Sequence, residues 1–472
     1  MQAVARTNRL DAILDKFSVK TEGLLKSARR FFDSYISYAA ITLAAMAFVI
    51  AHQEVYGAIA FVAILGVILL VCDDILPTFL PFLLVSTFTT NCYNSFNTFI
   101  QYIPFAPLIV AWVVFHFVVY KKKYFVGESI YGLCAVSIAL LIGGVGNYTF
   151  MDYFKGAYYY FGLGLGMIVA YFVMKSEYAQ SRKYDLRERF AVSMSLMGAL
   201  CVLMIALGYI RPLIGFPNYP YANGFSRNNV STMLMFAMPF PLFLIKRNQW
   251  FAIGTLVFFG ATCATGSRGG LLFGAVEFAV CAVYWMSLDK RNFKVRFGIC
   301  LMAAGLILLA LGSKIADIIV NRLLKEDAID GTDRWVMMLQ AVDRFFANPF
   351  VGSGILDDTI AYGEYRKAGT MAWYHMMSSQ VLGSMGLVGI LGYGFNIYLR
   401  FRLSLKKASG WSLVLGISYL GILLMSQVNP GEFCPVPFEV LAVLLFVMQE
   451  IRLDEAILPL KRVCETPKNL LG

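Results

Sequence analysis

Charge is what this chain has least of. Of its 472 residues only 15% are Asp, Glu, Lys or Arg, while 59% are hydrophobic; a soluble domain carries about a quarter charged residues. Histidine is scarcer still, with His52, His116 and His375 its only copies. The nine cysteines fall mostly inside apolar runs without metal-ligand spacing. They read as small hydrophobes, which excludes a disulfide framework and a zinc site as organising features. The apolar runs are continuous and not alternating, which argues against a β-barrel. The first thirty residues are polar and basic, so no cleavable signal peptide is expected. The formal net charge is +11. In so apolar a chain the placement of Lys and Arg means more than their sum, and nucleic acid is not an expected partner.

What is abundant is apolar sequence in runs long enough to cross a bilayer. They lie at about 34–53, 55–71, 75–90, 102–120, 128–147, 156–174, 191–210, 229–245, 250–266, 267–287, 297–313, 375–399, 411–429 and 434–450. With no water in the hydrocarbon to satisfy backbone groups, such runs must be helices. The expected fold is all-α: a polytopic helical membrane protein of about 12–14 transmembrane helices with one large extracytoplasmic loop bearing short helices. Its expected parts are a basic tail (1–33), a transmembrane bundle (34–313), the loop (314–374), C-terminal transmembrane helices (375–450) and a second tail (451–472). If the N-terminus is cytoplasmic, 29 of the 40 Lys and Arg fall on inside segments. That bias places both termini inside and the 314–374 loop outside.

Within the loop, Asp330-Gly331 makes a turn and Thr332 can cap a helix. Trp335, Met338, Leu339, Val342 and Phe346 then recur at helical spacing until Asn348-Pro349 stops the run. One apolar face on an external helix predicts that it lies down on the bundle or on the membrane surface. The Gly383, Gly386, Gly389, Gly392 ladder predicts close packing of one helix on another. Gly162, Gly164 and Gly166 are read the same way, since no strand precedes them as a dinucleotide signature requires.

His52, in a tight turn, and His116, near one end of a span, read as structural. His375 differs, because it lies where the polar loop meets an apolar helix. Three arginines also stand at membrane edges: Arg211 after the seventh span, Arg227 before the eighth, and Arg268 in Gly266-Ser267-Arg268-Gly269-Gly270. Arginine at such places is costly and marks function by default. The bland alternative, snorkelling to the headgroups, competes for Arg211 and Arg227 and less for Arg268, which glycines hem in. The spans beginning near Asn229, Ser267 and His375 run in one direction, so three helix N-termini face outward. Each offers free N–H groups and about half a positive charge, which suits phosphate. The same dipoles disfavour imidazolium and leave His375 able to accept a proton. A cationic cradle with one neutral base fits transfer from a lipid diphosphate sugar. The diphosphate leaving group needs charge neutralisation more than an acid, and the acceptor hydroxyl needs a base. No metal or other cofactor is required.

These stretches resemble the O-antigen ligase and O-antigen polymerase superfamily of integral-membrane glycosyltransferases. Gly224-Phe225 through Asn229 looks like the element opening one family helix, and Gly266-Ser267-Arg268-Gly269 is similar to its Ser-Arg-Gly element. Arg334-Trp335 with Asn348-Pro349 and Gly352-x-Gly354 matches the large external loop, and His375 with Gly386-Leu387-Val388-Gly389 resembles the stretch that follows. The resemblance covers roughly 205–395. It implies a catalytic base at His375, with Arg211 and Arg268 on the diphosphate of an undecaprenyl-linked glycan; Arg227, by its own place before a span, is expected to join them. Ser267, Asn229 and Arg334 would support them. The implied partners are that donor, a hydroxyl acceptor (a lipid-linked glycan, a lipid or a protein) and membrane lipids. Two other readings compete. A lipid-linked oligosaccharide flippase predicts internal repeats and helices broken at the midplane. An unrelated membrane glycosyltransferase would use a loop carboxylate such as Asp357, Asp358 or Glu364.

Overall fold

Each apolar run is mainly helical where the backbone is described. A computed structural model describes residues 22–91, 102–147, 156, 159–181, 186–213, 227–288, 292–317, 333–355, 374–429 and 431–457. In chain order the helices are α1 (Glu22–Phe32), α2 (Tyr35–Ala51), α3 (Glu54–Val71), α4 (Phe79–Asn91), α5 (Ala106–Val119), α6 (Ser129–Ile142) and α7 (Gly166–Ala179). Then come α8 (Leu186–Leu213), α9 (Arg227–Ala237), α10 (Phe240–Leu244), α11 (Ala252–Ala264), α12 (Arg268–Ser287) and α13 (Phe293–Asp317). The last four are α14 (Asp333–Ala347), α15 (Met377–Leu405), α16 (Gly410–Met425) and α17 (Val440–Ile457). No strand occurs among the described residues. Four helices are long and apolar enough to cross a membrane unaided, namely α3, α8 through Ile210, α12 and α15, and α2 joins them if its 72° bend with α1 is one broken span. The protein is therefore an all-α polytopic membrane protein.

The core holds Phe61, Phe79, Phe88, Phe190, Phe240 and Phe446, all almost fully buried. The long helix α15 runs beside α6 and α14, while α9 is enclosed by α8, α11, α12 and α16. Proline divides the 229–245 run, so α9 ends at Ala237 and α10 begins after Pro239. Gly164, in a wide turn ahead of α7, meets Ser137 of α6 so closely that a Cβ there would lie 2.9 Å from its Oγ. That glycine does serve packing.

The glycine ladder of α15 is only partly a packing stripe. At Gly392 a Cβ would lie 2.7 Å from Ala139 Cβ, and at Gly383 it would lie 2.6 Å from the Tyr374 hydroxyl. Gly386 instead breaks the helix, with φ 58 and ψ −145. The turn after α14 fills the break. Ser353 N–H donates to Gly383 O and Gly354 N–H to Ser384 O, while Leu387 N–H donates to Pro349 O and Val388 N–H to Phe350 O, at 2.8–3.1 Å. Four backbone groups at the kink are thus satisfied by one inserted segment.

Helix α14 packs on α15, but through a face other than the one that periodicity picks out. Its protein-facing side is Met337 and Ala341, which cluster with Tyr374. The stripe picked out by periodicity turns the other way, with Trp335, Leu339 and Phe346 exposed. Period alone could not choose between them, because both faces are apolar.

Two basic residues assigned to inside segments prove to be buried in helices. Arg400 of α15 donates to Glu432 at 2.8 Å and to Glu439 at 2.6 Å, and Lys175 of α7 lies 3.6 Å from Glu450. Burial of each cation is offset by a carboxylate from another element. His116 is fully buried, with Nδ1 2.8 Å from Leu69 O and Nε2 3.2 Å from Glu177. It is a helix-joining residue. His52 sits in the left-handed region at φ 57 between α2 and α3.

Candidate functional site

Three helices start at one end of the bundle around one turn. Ser267 caps α12, its Oγ accepting from Gly270 N–H at 3.0 Å, as a serine before a helix does. The same hydroxyl donates to Asn228 Oδ1 at 2.7 Å, joining the start of α12 to the start of α9. Beneath this pair, Ser231 and Thr265 hydroxyls meet at 2.8 Å. Asn229 Oδ1 accepts from Asn429 Nδ2 at 3.2 Å, so α9 also touches the turn that follows α16. Gly269 presses on that turn, where a Cβ would overlap Val428. Finally, Met377 N–H, in the first turn of α15, donates to Ser426 O at 2.8 Å. Residues 425–429 are therefore the hub on which the N-termini of α9, α12 and α15 converge.

Arg227 is the first residue of α9, Arg268 the first of α12, and His375 lies two residues before α15. Each is half-buried. The structure thus brings the helix starts beside these three residues to one rim, where the positive ends of three helix dipoles gather. Asn229 and Ser267, the expected supporting residues, are structural parts of the same rim. Helix α8 ends beside it, since the hydroxyl of Tyr209 donates to Ala264 O two residues before Arg211. The side chains of Arg211 and Arg334 lie outside the described residues, as do Asp330, Gly331, Thr332, Asp357, Asp358 and Glu364.

The backbone at His375 is held on both sides. Tyr374 is fully buried, and its N–H donates to Gln380 Oε1 at 3.1 Å. Gln380 Nε2 in turn reaches Ser384 Oγ at 3.0 Å, so Tyr374 is tied to the first half of α15. With Met377 fixed to Ser426, the intervening residues turn sharply and His375 takes φ 53. A side chain in that left-handed region costs about 1–3 kcal/mol and persists only where its surroundings enforce it.

Sequence reasoning missed the hub residues Ser426 and Asn429 and the anchor Tyr374. Asn429-Pro430-Gly431 marks a turn, but nothing in a single sequence says what the turn touches. Glu277 was also missed. It lies nine residues below Arg268 on α12, fully buried, and neither carboxyl oxygen has a hydrogen-bond partner among the described residues. Gly421 of α16 makes room for it. Among the described residues no group of three or more His, Cys, Asp or Glu is placed to hold a metal.

Compared with known proteins, residues 253–397 match the family model described as O-antigen ligase. The match runs from α11 through the break in α15 and includes Arg268 and His375. It begins after Arg211, Arg227 and Asn229. No curated protein and no solved structure matches the chain. The family match supports a role in glycan transfer at a membrane.

Proposed function

We propose that the O-antigen ligase domain of residues 253–397 makes this chain a membrane glycosyltransferase. It moves a glycan from an undecaprenyl-diphosphate donor to a hydroxyl acceptor at the outer face of the bacterial cytoplasmic membrane, with both termini cytoplasmic. The observation that supports the reading is the convergence of three helix N-termini on the turn at 425–429, with Arg227, Arg268 and His375 at or next to those helix starts. Arg268 and Arg227, with Arg211 from the end of α8, hold the diphosphate. His375 takes the proton of the acceptor hydroxyl as its oxygen attacks the anomeric carbon. The bond from that carbon to the diphosphate oxygen breaks, and the lipid diphosphate leaves with the electron pair. Charge neutralisation at the leaving group and proton removal at the nucleophile are the two demands of the step, and the rim carries groups for both. Neither requires a metal.

The break at Gly386 inside α15 is a feature that favours a flippase. In flippase-type folds such breaks line a cavity; here the backbone of 349–354 fills it. Purified protein in nanodiscs, given an undecaprenyl-diphosphate oligosaccharide and candidate acceptors, separates the readings. Lengthened glycan indicates a polymerase, capture by a separate lipid or protein acceptor a ligase, and donor movement without chemistry a flippase. His375→Ala is expected to retain donor binding and lose transfer; transfer at the parent rate would remove the base assignment. Arg268→Ala is expected to weaken donor binding about tenfold to a hundredfold, given roughly 1.5–3 kcal/mol for a hydrogen bond to a charged group. Unchanged affinity would leave Arg268 a structural or headgroup contact.

A further inference from the structure

The segment between α13 and α15 has the length and polarity of a water-exposed loop, yet its described part is fixed to α15 well below that helix's start. Pro349 and Phe350 pair through their carbonyls with Leu387 and Val388, some ten residues into α15. At 1.5 Å per residue that is about 15 Å along the axis. On the same side of α15, Leu387 is 40% and Leu391 64% exposed. Leucines turned outward from a membrane-crossing helix face acyl chains. Phe350 sits beside Leu387 and is 70% exposed. One turn earlier Phe346 is 74% exposed, and Leu339 extends the stripe along α14 at 45%. The opposite side of α14, Met337 and Ala341, is spent on Tyr374. Gln340, Asp343 and Arg344 occupy one flank between these faces, and Asp343 is exposed.

From this we infer that α14 and the turn at 348–354 lie within the membrane leaflet at the end where α15 begins. Phe346 and Phe350 rest against the acyl chains of bilayer phospholipid, and the polar flank with Asp343 faces water. The occupant follows from continuity. Phe350 O accepts from the N–H of Val388, the residue after exposed Leu387, so exposed Phe350 adjoins the outward leucines of α15 and the two surfaces share one solvent. A helix apolar on two sides and polar on one flank suits a position between protein, lipid and water. The inference concerns a lipid contact and does not depend on glycan transfer.

Site-directed nitroxide labels test it in nanodiscs of phosphatidylethanolamine and phosphatidylglycerol. The variants are Phe346→Cys and Phe350→Cys, with Leu391→Cys as the lipid reference and Lys246→Cys as the water reference. The unmodified protein, labelled alike, sets the background from its nine cysteines. Power saturation with oxygen and with an aqueous nickel chelate is expected to show both positions relaxed by oxygen and shielded from nickel, as at position 391. Relaxation by nickel at either position, as at 246, overturns the inference, because that surface then faces water. Exclusion of both relaxing agents also overturns it, because protein then covers the stripe. All four sites are exposed, so the labels do not disturb the core.

Discussion

Tyr374 and Met377 fix the backbone before and after His375, so the residue proposed as the base sits in a chain segment positioned by its two neighbours. Arg268 and Arg227 are set in the same way: each opens a helix whose start is tied to its neighbours by serine and asparagine side chains. Glu277 contrasts with all of these. A buried carboxyl with no hydrogen-bond partner among the described residues is a cost to the fold. Glu277→Gln keeps the shape and removes any ionised form, so the thermal unfolding midpoint in nanodiscs is expected to stay level or rise. A marked fall would show that the carboxyl is engaged by a group that recognises an acid. Arg400 illustrates the opposite case. It is buried between Glu432 and Glu439, and Arg400→Met would strand two carboxylates at a cost of about 3–5 kcal/mol. The check is the loss of folded protein after purification, with recovery expected when Glu432→Gln and Glu439→Gln are added.

Among the elements, the broken α15 is the one on which the site leans. Its first half carries the His375 turn and its second half continues as a span, with the 348–354 turn stitched into the gap. Two glycines permit this. At Gly352, φ is +67 and an added Cβ would lie 2.5 Å from Met385 N; at Gly386, φ is +58 and it would lie 2.6 Å from Pro349 O. Both clashes are with backbone, which cannot rotate away. Gly352→Ala and Gly386→Ala are therefore expected to lower the unfolding midpoint, each costing more than the roughly 1–3 kcal/mol of a left-handed side chain alone. Gly394→Ala is the control, since a Cβ there meets nothing within 4 Å. Equal midpoints for all three would mean that the gap is not closed as described.

Across the whole molecule, contacts distant in sequence tie the helices together. Glu128, ahead of α6, binds Lys406 at 2.8 Å and approaches Arg402 at 3.8 Å, joining the start of α6 to the end of α15. The Lys406 hydrogen bond holds the Glu128 carboxyl below the usual carboxylate range. A carboxyl whose pKa is lower folded than unfolded stabilises the fold above its unfolded pKa, and that contribution fades as pH falls through the folded value. Midpoints of the parent and Glu128→Gln are thus expected to differ at neutral pH and to converge in acid. The difference is small because the pair is exposed. A gap that persists unchanged at low pH would show that Lys406 is not the cause.

The sequence by itself determined that the chain is a bundle of membrane helices, because continuous apolar runs have no other way to satisfy their backbone in a bilayer. It also marked Arg268 and His375, since costly polar groups stand out against so apolar a background. That the helix starts beside them converge on the 425–429 turn was decided only by tertiary structure: Asn429 and Asn229 are 200 residues apart along the chain, and helix period carries no information about partners. The same limit explains α14 and Gly386. Two apolar faces look alike to a periodicity count, and a glycine that kinks a helix has the same spacing as one that lets a neighbour approach. Only the packed neighbours, Tyr374 in one case and the backbone of 349–354 in the other, assign each its role.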